Sequence, residues 1–142
     1  MTEIRDVALA DVLPLRQRIL RPTQTLDECR FDGDDDPRAV HLGVGDPLLA
    51  IASVVPTPHR SAPGLGWRIR MVGVVEERRG EGIGQALVEA CALRAVAAGA
   101  PGVWLSARLH LRPWYEHLGF EPVGVVYDKP PVGPHIDMRL VV

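Results

Sequence analysis

The feature that most constrains the fold is a glycine-rich turn that runs directly into a long helix. Three glycines spaced by two fall in the segment EERRGEGIGQALVEA, residues 76–90: Gly80, Gly82 and Gly84. Downstream, apolar residues recur at three- and four-residue steps, which predicts a helix over 82–98 that stops at Gly99. Its predicted buried face comprises Ile83, Leu87, Cys91, Ala95 and Ala98. Such a turn presents several backbone N–H groups at a helix N-terminus, which predicts a phosphate-binding site.

Several phosphate-bearing ligands fit a strand, a glycine turn and a helix, and the residues after the turn separate them. A nucleotide P-loop needs Lys followed by Ser or Thr, but Gly84 is followed by Gln85 and Ala86, which argues against ATP. A dinucleotide fingerprint, G-x-G-x-x-G, fails in both frames, at Gln85 and at Leu87. The pattern R-x-x-G-x-G does fit, and it suits a pyrophosphate; its places are held by Arg79, Gly82 and Gly84.

The rest of the chain predicts a single domain over residues 1–142, with the element order β-α-β-β-β-α-β-α-β-β. This order predicts an α/β (α+β) fold with a mixed, mostly antiparallel sheet of six to seven strands and helices on its faces. The predicted strands cover residues 2–9, 39–45, 48–56, 67–75, 102–108, 120–128 and 135–142, and the predicted helices cover 11–20, 82–98 and 112–118.

Composition excludes several classes of partner. The net charge of −2 argues against a nucleic-acid-binding surface, which would need a basic face. No apolar run approaches the length of a membrane span, and the N-terminus lacks the pattern of a secretory signal, so we expect a cytoplasmic protein without a membrane partner. Cys29 and Cys91 fit no metal or disulfide spacing, so we expect two reduced thiols and no metal.

Two segments carry a family resemblance. MVGVVEERRGEGIGQALVEA, residues 71–90, resembles the acetyl-CoA motif of the GNAT superfamily of N-acetyltransferases, and RPWYEHLGFEPVG, residues 112–124, resembles its closing motif. The resemblance is close from Trp67 onward and covers the N-terminal third only through its order of elements. It implies the GNAT fold of a compact bacterial-type member, with a splayed central strand pair at 71–74 and 103–107. It also implies direct transfer of an acetyl group from acetyl-CoA to a primary amine of a small molecule or peptide.

The resemblance also implies roles for individual residues. Tyr115 holds the position of the general acid that protonates the leaving thiolate, and the backbone N–H groups of Val72 and Val74 face the pantetheine and thioester. The implied coenzyme contacts are Val72, Gly73, Val74, Arg79, Gly80, Glu81, Gly82, Ile83, Gly84 and Gln85. Some members hold the coenzyme with an asparagine after the fifth strand; this chain has no asparagine, and His110 or Arg112 would take over that contact.

The general base stays open at this point. Some members carry a glutamate on the central strand where this chain has Trp67, Arg68, Ile69 and Arg70, and arginine cannot act as a base. Glu76 and His110 are the main candidates, beside His41 and His135, and each would serve equally well as a surface or capping residue.

The acceptor also stays open. In this fold the acceptor site is formed by the segments that correspond to Asp27–Asp36 and His59–Gly66. The acidic segment favours a cationic amine, whereas Arg68 and Arg70 favour an acceptor with a carboxylate or phosphate. A non-catalytic acyl-CoA-binding module and a transferase that uses a longer acyl-CoA are the alternatives to acetyl transfer. Because dimers are common in the family and the C-terminal strands offer an edge, a homodimer is also expected.

Overall fold

A computed structural model describes residues 3–62 and 64–141, and it confirms the predicted order of elements. Short 3₁₀ turns at Asp27–Cys29, Glu76–Arg78 and Leu109–Leu111 accompany the main elements. The helices and strands are β1 (Ile4–Asp6), α1 (Leu9–Ile19), β2 (Val40–Val44), β3 (Ala50–Pro56), β4 (Trp67–Val74), α2 (Ile83–Ala97), β5 (Gly102–Arg108), α3 (Arg112–His117), β6 (Glu121–Lys129) and β7 (Gly133–Val141).

The seven strands form one sheet in the order β1-β2-β3-β4-β5-β7-β6. Every neighbouring pair is antiparallel except β4 and β5, which are parallel and are joined by α2 as a crossover helix. The prediction of a mixed, mostly antiparallel sheet is therefore confirmed. No helix in the described ranges is long and apolar enough to span a bilayer.

The two longer helices lie on opposite faces of the sheet, and the alternation of side chains along β3 shows this. Ala50, Ala52 and Val54 belong to the large core that includes the buried face of α2, whereas Ile51 packs in a smaller cluster with Val12 and other residues around α1. Successive strand residues point to opposite faces. Each face is thus covered by one helix, and both thiols, Cys29 and Cys91, are free and buried.

Some predicted boundaries are wrong for local reasons. The first helix begins at Leu9, two residues before the predicted start at residue 11. The reason is that the Asp11 carboxylate accepts a hydrogen bond from the Ala8 N–H at 3.0 Å and so caps the start of the helix. Ala98 was expected on the buried face of α2, but it follows the last helical residue and is exposed. Residues 2 and 142, the ends of two predicted strands, lie outside the described residues.

The central strand pair is splayed, as the family resemblance implied. β4 and β5 share one register pair, Arg68 with Trp104. The register of β4 against β3 shifts between Ile51 and Ser53, and Met71, on β4 beside this shift, has a positive φ of 55°. Such an irregularity bends a strand and turns it away from its neighbour. A gap therefore opens between β4 and β5 beyond Arg68.

Candidate active site

A cavity of about 500 Å³ occupies the gap between β4 and β5. It is lined by all the implied coenzyme contacts except Glu81. Glu81 is exposed, and its carboxylate accepts hydrogen bonds from Nε of Arg78 at 3.0 and 3.1 Å. The lining residues from the implied set are Val72, Gly73, Val74, Arg79, Gly80, Gly82, Ile83, Gly84 and Gln85.

The glycine turn lies at one end of this cavity and fits a phosphate. Gly80 and Gly82 have φ angles of 82° and 81°, and a Cβ atom at either position would meet no heavy atom within 4 Å. Glycine is therefore required there by the backbone conformation and not by lack of space. Gly82 caps α2, which has no side-chain cap among the described residues, so the N–H groups of its first turn remain available to an anion.

The first helix closes one wall of the cavity, through Ile19, Leu20 and Arg21 at and beyond its C-terminus. A Cβ atom at Gly73 would lie 2.6 Å from Cδ1 of Ile19. Glycine at position 73 thus lets the end of α1 approach β4 closely. The sequence motif placed Gly73 among the coenzyme contacts, and the structure adds a packing reason for this residue.

The backbone of β4 faces the gap at Val72 and Val74. The N–H of Val75 donates to the carbonyl of Leu49 at 2.9 Å, and in an antiparallel pair such residues alternate with residues whose polar groups point away from the partner strand. Val74 therefore turns its N–H and C=O towards the cavity, and Val72, next to Met71, also lines it. Nε of Arg79 donates to the Val74 carbonyl at 3.0 Å, in agreement with this direction.

Tyr115 lies in α3 and reaches the cavity from the side of β5. It is buried, with its ring packed edge-on against Trp114 and Phe120 at centroid distances of 4.8 and 5.7 Å. Burial raises the pKa of Tyr115 to about 12, against an opposing effect of the positive charge of Arg108. The phenol is therefore fully protonated at neutral pH and can act as a proton donor.

His135, on β7, lines the cavity, and its Nε2 atom forms no hydrogen bond within residues 3–62 and 64–141. Its Nδ1 lies 2.8 Å from the carbonyl of Gly133, which can only accept, so Nδ1 carries the proton and Nε2 has a lone pair. Burial, more than the nearby positive charges, lowers the pKa of His135. The imidazole is therefore neutral at pH 7 and can accept a proton.

The other three base candidates differ from His135 in burial or in position. His110 lines the cavity from an exposed position, and Glu76 is exposed on the turn before α2 and does not line it. His41 is buried with Nδ1 2.7 Å from Oγ of Ser53 and Nε2 3.2 Å from the carbonyl of Asp34. The alternative expectation of a surface position was wrong for His41 and for His135, since both are buried. Each ring hydrogen-bonds a backbone carbonyl, that of Asp34 and that of Gly133 respectively.

The end of the cavity away from the glycine turn is strongly cationic. Arg68 and Arg70 follow one another on the same face of β4, and their guanidinium groups lie 4.6 Å from the ring centroid of Trp104 and 4.2 Å from that of Phe31. Five basic side chains line this end: Arg21, Arg68, Arg70, Arg108 and Lys129. Arg21, Arg108 and Lys129 were not predicted from the sequence. They lie at or just beyond the C-terminal ends of α1, β5 and β6, which come together only in the tertiary structure.

The two segments expected to form the acceptor site do not line the cavity in the described part of the chain, which omits residue 63 of the second segment. In the acidic segment, Asp34 forms a buried ion pair with Arg16 at 2.7 Å. In the second segment, Nε2 of His59 lies 2.9 Å from the carboxylate of Asp137. Both segments thus lie outside the cavity lining, and Asp34 and His59 pair with other residues of the protein.

With the glycine turn, the splayed strands and the buried tyrosine in place, known proteins give a consistent match. A family model described as "Acetyltransferase (GNAT) domain" matches residues 38–122, more than half of the chain. The chain belongs to the GNAT family of acetyltransferases. It is 32% identical over 144 residues to "Uncharacterized N-acetyltransferase YitI" of Bacillus subtilis (strain 168), across 97% of this chain and 95% of that protein.

Solved structures agree with this assignment. The crystal structure of Escherichia coli ElaA superposes with a TM-score of 0.76 at 27% identity, over 98% of this chain and 99% of the other. Arabidopsis thaliana NAA60 in complex with acetyl-CoA gives a TM-score of 0.78 over the full length of both chains at 14% identity, which supports the fold alone. The GNAT family and fold identified from the sequence are both confirmed.

Proposed function

We propose that this protein transfers an acetyl group from acetyl-CoA to a primary amine of a small molecule or peptide, by direct attack within a ternary complex. The observation that carries the proposal is the gap between β4 and β5, which has a phosphate-compatible turn at one end and a buried phenol at its side. GNAT structures solved with coenzyme A or acetyl-CoA share this fold, among them an aminoglycoside 6'-N-acetyltransferase with a TM-score of 0.71 at 18% identity.

The donor would be bound by backbone groups at both ends of the cavity. The N–H groups of Ile83, Gly84 and Gln85 at the start of α2 would hold the pyrophosphate. The open edge of β4 at Val72 and Val74 would pair with the amide groups of the pantetheine arm, much as an added strand does. Acetyl-CoA would supply the activated acyl group as a thioester.

The chain's own residues would handle the two protons of the reaction. A lysine-like amine is mostly protonated at pH 7, and its neutral form lies roughly 4.6 kcal/mol higher. Nε2 of His135 would take this proton. We favour His135 over Glu76, which does not line the cavity, and over His110, which is exposed, because His135 is buried in the cavity wall with Nδ1 protonated.

When the amine nitrogen bonds to the acyl carbon and the C–S bond breaks, Tyr115 would donate its proton to the sulfur, and the second proton that the nitrogen loses as the amide forms would restore the phenol. A backbone N–H of β4 would stabilise the oxygen that gains charge, an effect worth about 3 kcal/mol in such sites. Arg108, which counteracts the rise in the Tyr115 pKa, would stabilise the phenolate that this transfer leaves.

We also propose that the protein acts in the cytoplasm without nucleic-acid partners. The net charge of −2 and the two free, buried thiols, Cys29 and Cys91, support this setting. A homodimer through the edge strand β6, whose Val125 is 80% exposed, stays a prediction.

Two measurements test the proposed function. Calorimetry should show acetyl-CoA binding to the purified protein, and absence of binding would refute the proposal. Release of free coenzyme A thiol over a panel of primary amines should then identify a productive acceptor. Tight binding without turnover of any amine would instead favour a non-catalytic acyl-CoA-binding module, and faster turnover of succinyl-CoA than of acetyl-CoA would favour a longer acyl group.

A further inference from the structure

The acceptor end of the cavity carries an excess of positive charge that the protein itself does not neutralise. Beyond the five basic residues named above, Arg78 and Arg79 line the opposite end, and the described lining contains no Asp or Glu. Arg70 and Lys129 form no ion pair and donate no side-chain hydrogen bond within residues 3–62 and 64–141. Two cations therefore line the cavity without an ionic or hydrogen-bonding partner in the described part of the chain.

The charges lie close enough to affect one another. Burial lowers the pKa of Arg70 to about 9, and the charge of Arg68 adds to this effect. Burial likewise lowers the pKa of Lys129 to about 8, assisted by Arg68, Arg70 and Arg21. Like charges held together in a partly desolvated site raise the free energy of the unliganded protein. A bound anion would relieve this cost.

The nearby carboxylates cannot supply that anion because each is already engaged. Asp34 is buried against Arg16, with contacts of 2.7 and 3.0 Å. Asp137 accepts hydrogen bonds from His59, Ser106 and Tyr127 at 2.9, 2.8 and 2.6 Å. The other residues of the acidic segment do not line the cavity, and Asp36 pairs with Arg38 outside it.

We infer that the acceptor is a primary amine that also carries a carboxylate or phosphate group, and that Arg70, with Arg68 and Lys129, binds this anionic group. The inference rests on the proposed acetyl transfer and names the class of amine that it acts on. In the sequence, the acidic segment favoured a cationic amine, whereas Arg68 and Arg70 favoured an acceptor with a carboxylate or phosphate. The inference follows the arginines, because the acidic segment does not line the cavity.

The same cationic surroundings assist the chemistry. A positive potential disfavours an ammonium ion, and the charges of Arg68, Arg70 and Arg21 add to the larger effect of burial in lowering the pKa of Lys129. The titratable and charged groups around Arg68, Arg70 and Lys129 are Arg16, Arg21, Asp34, Arg68, Arg70, Arg108, Tyr127, Lys129, His135 and Asp137. With one or two negative charges on the acceptor, the site keeps a net positive charge. The reacting amine therefore loses its proton more readily, which explains how a neutral histidine can suffice as base.

The test compares amines that differ in one anionic group, with the protein first saturated with coenzyme A. The pairs are 4-aminobutyrate with butylamine, and O-phosphoethanolamine with ethanolamine, which separate carboxylate from phosphate. Calorimetry should show that at least one anionic amine binds about tenfold or more tightly than its neutral counterpart. With acetyl-CoA, the same amine should give the higher kcat/KM for thiol release.

Variants assign the preference to the cationic end. Arg70→Gln should reduce the preference about tenfold or more, Arg70→Lys should retain part of it, and both should leave the acetyl-CoA Kd unchanged. Arg38→Gln, an exposed arginine outside the cavity, is the matched control and should keep the full preference. Thermal unfolding of each variant reports whether it is folded.

The outcomes separate the two proposals. Loss of acetyl-CoA binding in the unaltered protein would refute the proposed function. Acetyl-CoA binding together with equal or tighter binding of the neutral amines would overturn the anionic-acceptor inference alone. A preference that survives in Arg70→Gln, or that Arg38→Gln abolishes equally, would also overturn the assignment to this site.

Discussion

The Nε atom of Arg79 donates a hydrogen bond to the carbonyl oxygen of Val74 at 3.0 Å. This contact ties the glycine turn to the open side of β4 and leaves the backbone N–H groups at the start of α2 free. We predict that Arg79 assists phosphate binding mainly through its backbone, because Nε of its side chain is already engaged by the Val74 carbonyl.

Gly82→Ala should weaken acetyl-CoA binding about tenfold or more, since alanine disfavours the φ of 81° by about 1 kcal/mol and the turn will shift. Gly82→Glu should abolish binding by adding a negative charge at the phosphate site. Gly99→Ala is the control: it has a φ of 97° and open space, but it lies beyond the other end of α2. It should lose similar stability and keep its affinity in calorimetry. Equal affinities for the Gly82 variants and the control would contradict a phosphate role for the turn.

Tyr115→Phe should lower kcat about a hundredfold or more while leaving the acetyl-CoA Kd unchanged, because it removes the proton donor and keeps the packed ring. Tyr127→Phe, which loses a hydroxyl that donates to Asp137 outside the cavity lining, is the control. Steady-state kinetics of both variants make the comparison. If Tyr115→Phe turned over as fast as the control, Tyr115 would not be the acid.

His135→Gln should lower kcat by two to four orders of magnitude, within roughly the range of general-base catalysis. The pKa of His135 is lowered, so the imidazole loses its proton at a pH below the usual value of about 6.5. The kcat/KM should therefore rise with pH as His135 becomes neutral, at a pH below that value. In His135→Gln the rise should move towards the pKa of the free amine, which must then lose its proton to water. His117→Gln, on the exposed face of α3, should retain the original pH profile. An unchanged profile in His135→Gln would exclude His135 as the base.

Asp34→Asn should destabilise the fold by about 3–5 kcal/mol, because it leaves the buried Arg16 guanidinium without its counter-charge. Burial alone would raise the pKa of Asp34, but hydrogen bonds and charge from Arg16 outweigh it and lower this pKa. The ion pair therefore contributes full stability above the unfolded pKa of about 3.9 and loses it as the pH falls through the folded value. Asp36→Asn, which breaks an exposed pair, should change urea denaturation little at any pH.

The sequence was sufficient to predict those features that depend on local pattern. The helical periodicity after Gly82, the strand order and the two family motifs led to the correct fold. The coenzyme contacts that the resemblance implied stay a prediction, and all of them except Glu81 line the cavity. Local pattern could also place Arg68 and Arg70 on one face of a strand, because side chains alternate. It could not say which face would border the cavity.

Features that depend on long-range packing were missed. Arg21, Arg108 and Lys129 come from the ends of three elements that meet only in the folded chain. The burial of His41 likewise depends on contacts with residues distant in sequence, such as Ser53. His135 is buried in the wall of the cavity. The family resemblance implied that the acidic segment forms part of the acceptor site, and its charges favoured a cationic amine. Its central carboxylate, Asp34, instead pairs within the protein with Arg16.

The single register pair between β4 and β5 has a thermodynamic consequence. Strands β1–β4 and strands β5–β7 share one register pair, Arg68 with Trp104. The core around α2 and contacts such as the hydrogen bond from Arg68 to Oγ of Ser106 also hold the two halves together. A molecule that bonds to the open backbone of β4 completes the middle of the sheet, so its binding energy is also folding energy. At a concentration a hundredfold above Kd this coupling adds about 2.7 kcal/mol to the free energy of unfolding. The concentration of the donor would therefore affect the stability of the folded protein as well as the rate at which the donor is turned over.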